Sequence, residues 1–305
     1  MPASEPFPSY LSPKSLTCIL RNALTEDIGK GDITSNALIP EHHQGQGNLV
    51  MRENGVVAGL MAAQYTFTLV DPTVACNWAF EEGSHVPAET VIGTVTGPLR
   101  SILTAERLAL NLLQRMSGIA TATAAMIGSV RGSKTLVRDT RKTAPGLRLL
   151  DKWAVVLGGG TNHRIGLYDR ILIKDNHIEA VGSLAASVRR AAEKLPHYLI
   201  DVEARTMAEV EEALTVAELI DVLLLDNMAV RYADGTIDCS QLKQAVNCIG
   251  GRIKTEATGG VTLETAPVIA TTGVDYLSCG SLTHSVRAID IALGVFQTDG
   301  SPTIA

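Results

Sequence analysis

The chain has 305 residues, 46% of them apolar, 19% charged and 4% aromatic, with 27 glycines and a formal net charge of −6. That composition describes a compact α/β protein and excludes a disordered chain, a collagen-like repeat and a disulfide scaffold. The acidic balance argues against nucleic acid as a partner, because non-specific nucleic-acid binders are normally basic; at ~100–200 residues per domain the length allows one large domain or two ordinary ones.

In chain order, the first 13 residues, four of them proline, read as an arm rather than a fold element. They show neither the basic start and apolar core of a secretory signal nor an Arg-rich transit pattern. The longest charge-free stretch, 54–70, has 17 residues. A spanning helix needs ~20 mostly apolar residues, so no membrane segment is expected. The five cysteines (Cys18, Cys76, Cys239, Cys248, Cys279) are odd in number, and no two lie closer than nine positions. No metal or redox spacing appears, and reduced thiols in a cytoplasmic protein are the expected state.

From about residue 47 to 98 the pattern is short and strand-like: NLVMREN, GVVAGL, TVACNWAF and TVIGTV are separated by Gly, Pro and Asn turns. The period then changes. TAERLALNLLQRMS (104–117) places Leu108, Leu112 and Met116, flanked by Ala105, Ala109 and Leu113, on one apolar face, with Thr104 and Gly118 as candidate ends. Beyond Gly118, apolar runs recur every 23 to 35 residues: 135–142, 170–177, 198–204, 221–228, 252–260 and 275–281. Helical patterns lie between most of them. One is LRLLDKWAVVL (147–157), stopped by Gly158–Gly160; another begins at a Thr206/Glu209 capping box. Near-continuous apolar strands alternating with helices predict a parallel sheet covered by helices. Six strands are clear, and a seventh is conceivable in 118–131. A complete or incomplete β/α barrel is the first reading and a doubly wound open sheet the second. The missing GxGxxG weighs against a dinucleotide fold.

In parallel β/α folds the reacting groups sit at the carboxyl ends of strands. Those ends carry Arg141 and Lys142; Lys174 and Asp175; Glu203; Asp226; Thr258, Gly259 and Gly260; and Cys279, Gly280 and Ser281. The strand interiors read as apolar. Residues 138–174 hold eight Lys/Arg against three acids, a local +5 inside an acidic chain. Such a cluster attracts a small anion bearing carboxylates or phosphates, although a solvated helix face would also explain it. Glu203 and Asp226 would hold Mg²⁺ against a pyrophosphate group, serve as ion-pair partners of Lys142 and Lys174, or do both. The Gly turns at 258–260 and 280–281, with a helix starting near Thr262, are a candidate phosphate cradle, though a Gly-Gly pair is often only a turn. His163, beside Arg164, reads as structural ahead of catalytic, since a lone His more often fills a structural role, and His177 and His284 have no evident partner.

The run DTRKTAPGLRLLDKWAVVLGGGTNHRIGLYDRILIKDNH (139–177) resembles the signature of the quinolinate phosphoribosyltransferases, the decarboxylating nicotinate-nucleotide pyrophosphorylases. The resemblance extends to EDIGKGDITS, AERLALNLLQRMSGIAT, VEA, LLDNM and EATGGVT, and covers almost all of 16–295. Asp151 and Trp153 stand where the family more often has Glu and Tyr, and 229–241 looks like a small insertion after Asp226.

The resemblance implies an N-terminal open α/β sandwich (1–117, with 290–305 packing back on it) and an incomplete β/α barrel (118–289). It implies a homodimer or higher homo-oligomer in which Arg107 reaches across the interface. It further implies that Arg141, Lys142, Arg164 and Lys174, with Thr140 and His163 close by, hold quinolinate and the donor 5-phosphoribosyl 1-pyrophosphate. Glu203 and Asp226 would lie near the ribose and Mg²⁺-pyrophosphate, and Thr258, Gly259, Gly260, Gly280 and Ser281 near the 5′-phosphate. The implied products are nicotinate mononucleotide, pyrophosphate and CO₂, a step of NAD biosynthesis that needs no organic cofactor. Three rival readings remain: a phosphoribosyltransferase for nicotinate, a non-catalytic anion-binding paralogue, and a phosphosugar aldolase or isomerase. The last would want a Schiff-base Lys in an apolar pocket.

Overall fold

The computed structural model describes residues 7–297; the first six residues of the Pro-rich arm and residues 298–305 of the expected C-terminal segment lie outside the described residues. The chain divides into two compact units, one made of 1–122, 144–159 and 286–305, the other of 123–143 and 160–285.

In the first unit, a four-stranded antiparallel sheet runs in the order Ile291–Gln297, Gln44–Met51, Thr90–Pro98, Ala75–Trp78. Leu49, Met51, Ile92 and Val95 alternate onto one face of it and pack with Phe67, Ile102, Ala105, Ala109 and Leu113 from helices. The arm is docked where it is described: Leu11 is buried, and the Phe7 ring meets Tyr65 edge-on at 5.9 Å.

Two expectations fail here for physical reasons. Residues 60–70 form the helix Leu60–Val70 instead of continuing a strand run. Its start is fixed from a distance: the Glu82 carboxylate accepts the N–H groups of Gly59 (2.8 Å) and Met61 (3.0 Å), a cap that no local pattern reveals. The second failure concerns the helix expected at 104–117, which runs over Leu99–Ser129, so Gly118 does not stop it and no strand lies in 118–129. Gly118 is instead a point of close approach, where a Cβ would come within 3.2 Å of Ala288 Cα.

Residues 144–159 belong to the first unit, which breaks the contiguous 118–289 span expected for the second domain. The helix Arg148–Leu157, stopped by Gly158 as its pattern predicts, carries the reason. Asp151 is fully buried and takes two hydrogen bonds from the Arg115 guanidinium, at 2.8 and 2.7 Å, and Trp153 packs on Phe7 at 5.4 Å.

The second unit is built on six parallel strands in the order Leu136–Arg138, Tyr276–Ser278, Lys254–Thr258, Val222–Asp226, Ile200–Ala204, Ile171–Ile173. These are the six runs read from the sequence. No ladder joins the first of them to the last among the described residues, so the barrel is incomplete. Val137, Ile173, Val202, Ala204, Leu223, Leu225, Ala257 and Leu277 point to the helix-covered side and form its core with Leu184, Val188, Val210 and Leu242. The Thr206/Glu209 capping box is present, and residues after Asp226 form a hairpin pairing Val230–Arg231 with Ile237–Asp238. All five cysteines are free, and among the described residues no helix is long and apolar enough to cross a membrane.

Burial pushes the Glu82 carboxyl up from 4.5 to about 7. A carboxyl that binds its proton more tightly in the folded state contributes stability below its unfolded value and loses it as pH rises through the folded value. Denaturant midpoints of the wild type relative to Glu82→Gln are therefore expected to fall between pH 4.5 and 7; a constant difference over that window would contradict the assignment.

Candidate active site

The period-two alternation of a strand sends successive side chains to opposite faces. In the second unit, residues near the carboxyl ends of the strands and opposite the core side therefore face a common space. Leu172, Lys174, Glu203, Leu224, Asp226, Glu256, Thr258 and Ser278 come from five strands or their ends and line one cavity of about 430 Å³. Loops add Thr140, Arg141, Lys142, His163, Arg164 and Arg205. Five cations thus face three carboxylates, so the Lys, Arg, Asp and Glu lining the cup leave it net positive.

The floor of the cup is a buried layer of charge. The Arg138 guanidinium reaches Glu256 at 2.7 Å and lies 3.3 Å from the centre of the Tyr276 ring. Glu256 also accepts the Ser278 hydroxyl, and Arg170 pairs with Asp201 at 2.6 Å. Burial raises the Asp201 carboxyl from 3.8 to about 6 against the opposing pull of Arg170. His163 Nδ1 accepts the Arg164 N–H at 2.6 Å, and its Nε2 lies 3.8 Å from Asp201 Oδ2 and 3.9 Å from Glu256 Oε1.

Asp139, also fully buried, joins two basic segments. It accepts the His163 N–H at 2.8 Å and Asn162 Nδ2 at 2.6 Å, while the chain continues directly into Thr140, Arg141 and Lys142. The Thr140 hydroxyl accepts the Lys142 N–H at 3.1 Å, and Thr283 Oγ1 donates to the Lys142 carbonyl at 2.8 Å. Burial, and then the nearby Arg141, weaken the hold of the Arg164 guanidinium on its proton. Two cations of that kind side by side are electrostatically unfavourable until an anion arrives.

Above the floor, Lys174 pairs with Glu203, and Arg205 bridges Asp175 (2.7 Å) and Asp226 (3.2 Å). Arg141 and Lys142 have no carboxylate partner among the described residues, and Arg141 Nε is buried without an acceptor. Glu203 and Asp226 each keep one oxygen without a hydrogen-bond partner, and among the described residues no group of three His, Cys, Asp or Glu could hold a metal ion. Two hard oxygens suit a Mg²⁺ ion that carries most of its ligands with it, as one bound to a diphosphate does.

The structure gathers most of the candidate residues singled out in the sequence. Thr140, Arg141, Lys142, His163, Arg164, Lys174, Glu203, Asp226 and Thr258 line the cup. A Cβ on Gly280 would come within 3.2 Å of Lys142 Cδ. Gly259 and Gly260 follow Thr258 with left-handed φ of 86° and 62°. The exposed Ser281 hydroxyl lies 3.0 Å from Cys279 Sγ. Arg107 lies exposed on the helix Leu99–Ser129 of the first unit.

Three details differ from the sequence reading. The helix expected near Thr262 begins only at Ala266 and has five residues, so no helix dipole supports the Gly259–Gly260 turn. The strand interiors are not apolar, because Arg138, Asp201 and Glu256 lie within or beside them. Of the eight basic residues in 138–174, Arg138 and Arg170 are held by buried acids, and Arg148 and Lys152 belong to the first unit.

Sequence reasoning missed Arg205 and the buried acids, and it gave no neighbour to His284, whose ring flanks Gly280. A signal for the acids was present: Asp201 precedes Glu203 by two positions and Glu256 precedes Thr258 by two, which places each pair on one face.

Two family descriptions match the chain: "Quinolinate phosphoribosyl transferase, N-terminal domain" over residues 32–117 and "Quinolinate phosphoribosyl transferase, C-terminal domain" over 119–294. The chain is 45% identical over 290 residues to quinolinate phosphoribosyltransferase [decarboxylating] 1b of Nicotiana tabacum, covering 91% of this chain and 81% of that one. It is 44% identical over 306 residues to a chloroplastic nicotinate-nucleotide pyrophosphorylase [carboxylating] of Oryza sativa subsp. japonica, covering 97% and 81%. Among solved structures, NadC from Streptococcus pyogenes superimposes with a TM-score of 0.87 at 38% identity, covering 95% of this chain and 99% of that one.

Removing one partner of a buried pair leaves the other charge uncompensated. Arg138→Met is expected to lower unfolding free energy by about 3–5 kcal/mol. Arg205→Ala, whose partners lie near solvent, should leave the denaturant midpoint near that of the wild type. Equal midpoints for the two variants would contradict the division into floor and rim.

Proposed function

The chain belongs to the quinolinate phosphoribosyltransferase family, and we propose that the cup lined by Arg141, Lys142, Arg164 and Lys174 is where its two anionic substrates meet. The reaction is decarboxylating phosphoribosyl transfer in NAD biosynthesis: quinolinate and 5-phosphoribosyl 1-pyrophosphate give nicotinate mononucleotide, pyrophosphate and CO₂. The observation that carries the site assignment is that Arg141 and Lys142 face the cavity without a protein carboxylate to neutralise them.

In this reading Arg141 and Arg164 grip the carboxylates of quinolinate, with His163 and Thr140 beside them. The forked guanidinium geometry suits carboxylates, and fixed position matters more than added affinity. Lys142 and Lys174 face the departing diphosphate. Glu203 and Asp226 face the ribose, where their charge stabilises the oxocarbenium character that develops as the diphosphate leaves. Glu203 and Asp226 are the residues that would hold Mg²⁺, and the ion would supply further neutralisation of the leaving group. Thr258, Gly259, Gly260, Gly280 and Ser281 receive the 5′-phosphate. The pyridine nitrogen attacks C1 of the ribose and the ring becomes cationic. Loss of the 2-carboxylate as CO₂ then leaves a carbanion beside N⁺, which takes up a proton from solvent to give nicotinate mononucleotide; the adjacent N⁺ supplies the stabilisation, so no organic cofactor is needed.

A mono-acid such as nicotinate would leave one buried cation unpaired, a penalty of ~2–5 kcal/mol against the dicarboxylate. The same reading includes a homodimer in which the partner's Arg107 completes the cup, and a cytoplasmic location supported by five free cysteines. Relatives differ in compartment, since the rice protein is named chloroplastic.

Coupled detection of CO₂ and nicotinate mononucleotide from quinolinate, donor and Mg²⁺ is expected to give equal amounts, and nicotinate in place of quinolinate no turnover. Lys142→Ala is expected to abolish turnover with the fold intact; near-normal kcat/KM would contradict the site. Mixing inactive Lys142→Ala with inactive Arg107→Ala in equal amounts should restore about a quarter of wild-type activity, because half the dimers then carry one complete cup. No recovery on subunit exchange would contradict the shared site.

A further inference from the structure

We propose that Asn227 is a positioning residue that ties Asp226 to the Thr258–Gly259–Gly260 turn and so sets the spacing between the two phosphate-bearing ends of the donor. The inference rests on the reading of those residues given above. Asp226 and Thr258 end neighbouring parallel strands and lie opposite one another in register. The next residue, Asn227, turns into the left-handed region at φ 58°, one of two non-glycine residues to do so among the described residues. That turn lets its N–H donate to the Thr258 carbonyl at 2.9 Å. It also brings the side-chain amide back over Asp226, where Nδ2 donates to Asp226 Oδ2 at 3.0 Å. The same oxygen accepts Arg205 Nε at 3.2 Å. Both donors therefore occupy Oδ2, and Oδ1 is left for a ligand.

The facing turn is shaped around this amide. Gly259 has φ 86°, and a Cβ built on it would come within 2.7 Å of Asn227 Cγ. One side chain thus orients the carboxylate on one strand end and packs against the glycine on the other.

A role as a turn residue alone would be met equally well by glycine, which adopts positive φ without strain. Positioning of Asp226 demands a hydrogen-bond donor. Asparagine combines the two, being tolerant of the left-handed region and able to donate. Aspartate would keep the shape and the backbone preference but set a second carboxylate against the first.

The test is steady-state kinetics of Asn227→Gly, Asn227→Asp and Asp226→Asn, varying each substrate with the other saturating and Mg²⁺ present. Asn227→Gly is expected to raise KM for 5-phosphoribosyl 1-pyrophosphate about tenfold, the scale of a hydrogen bond to a charged group. KM for quinolinate should stay within about twofold, since a loss confined to Asp226 orientation leaves the cationic wall intact. Asn227→Asp should impair the donor at least as much. Wild-type donor KM in either Asn227 variant, with Asp226→Asn impaired, would overturn this inference alone. Wild-type donor KM in Asp226→Asn would overturn the underlying placement of the donor. Equal increases in both KM values for Asn227→Gly would indicate a general loss of structure and would also overturn the positioning role.

Discussion

A cup that collects two anions must hold several cations close together before either anion arrives. Two like charges 4 Å apart repel by about 4 kcal/mol at an effective dielectric near 20, so such a cluster cannot be left to its own repulsion. The second unit separates its cations into two populations. Arg138 and Arg170 are neutralised by Glu256 and Asp201. Arg141 and Lys142 have no carboxylate partner among the described residues. Buried carboxylates thus offset part of the charge in this layer, and in the proposed site the upper cations are the ones that meet ligand. Lys174, paired with Glu203 at the rim, stands between the two populations.

This separation follows from strand geometry. With a side-chain period of two, a residue that opens onto the cavity has its neighbour two positions earlier directly beneath it. Glu203 stands over Asp201, Thr258 over Glu256, and Lys174 over Leu172. The six parallel strands were legible in the sequence because their core-facing side and the layer beneath the ends include enough aliphatic residues to read as apolar runs. The buried acids were hidden by that same impression, since a single Asp in LIDVEA breaks the run no more than a turn residue would. Asp201 and Glu256 become interpretable only once the neighbouring strands supply Arg170 and Arg138.

Elements whose geometry is imposed from a distance were not legible. The helix Leu60–Val70 takes its cap from Glu82, and the helix through Gly118 continues because that glycine admits the 287–288 backbone rather than ending a turn. The helix Arg148–Leu157 was readable as a helix, yet its place in the first unit depends on the Arg115–Asp151 pair between residues 36 apart. In the site, the strand-end residues were readable from position alone. Arg205 and Asn227 were not, because each acts on the carboxylate of Asp226 from outside its strand.

On the proposed site, the division also accounts for how one pocket could serve both bond-breaking steps. Departure of diphosphate and loss of the carboxylate each need negative charge held still, and neither needs a group from an organic cofactor. A crystal structure with quinolinate bound tests the division most directly. The account predicts a quinolinate carboxylate within hydrogen-bond distance of the Arg141 guanidinium, with Arg138 still on Glu256 and Arg170 still on Asp201. Quinolinate seated on Arg138 or Arg170, with Arg141 turned away from it, would contradict the account.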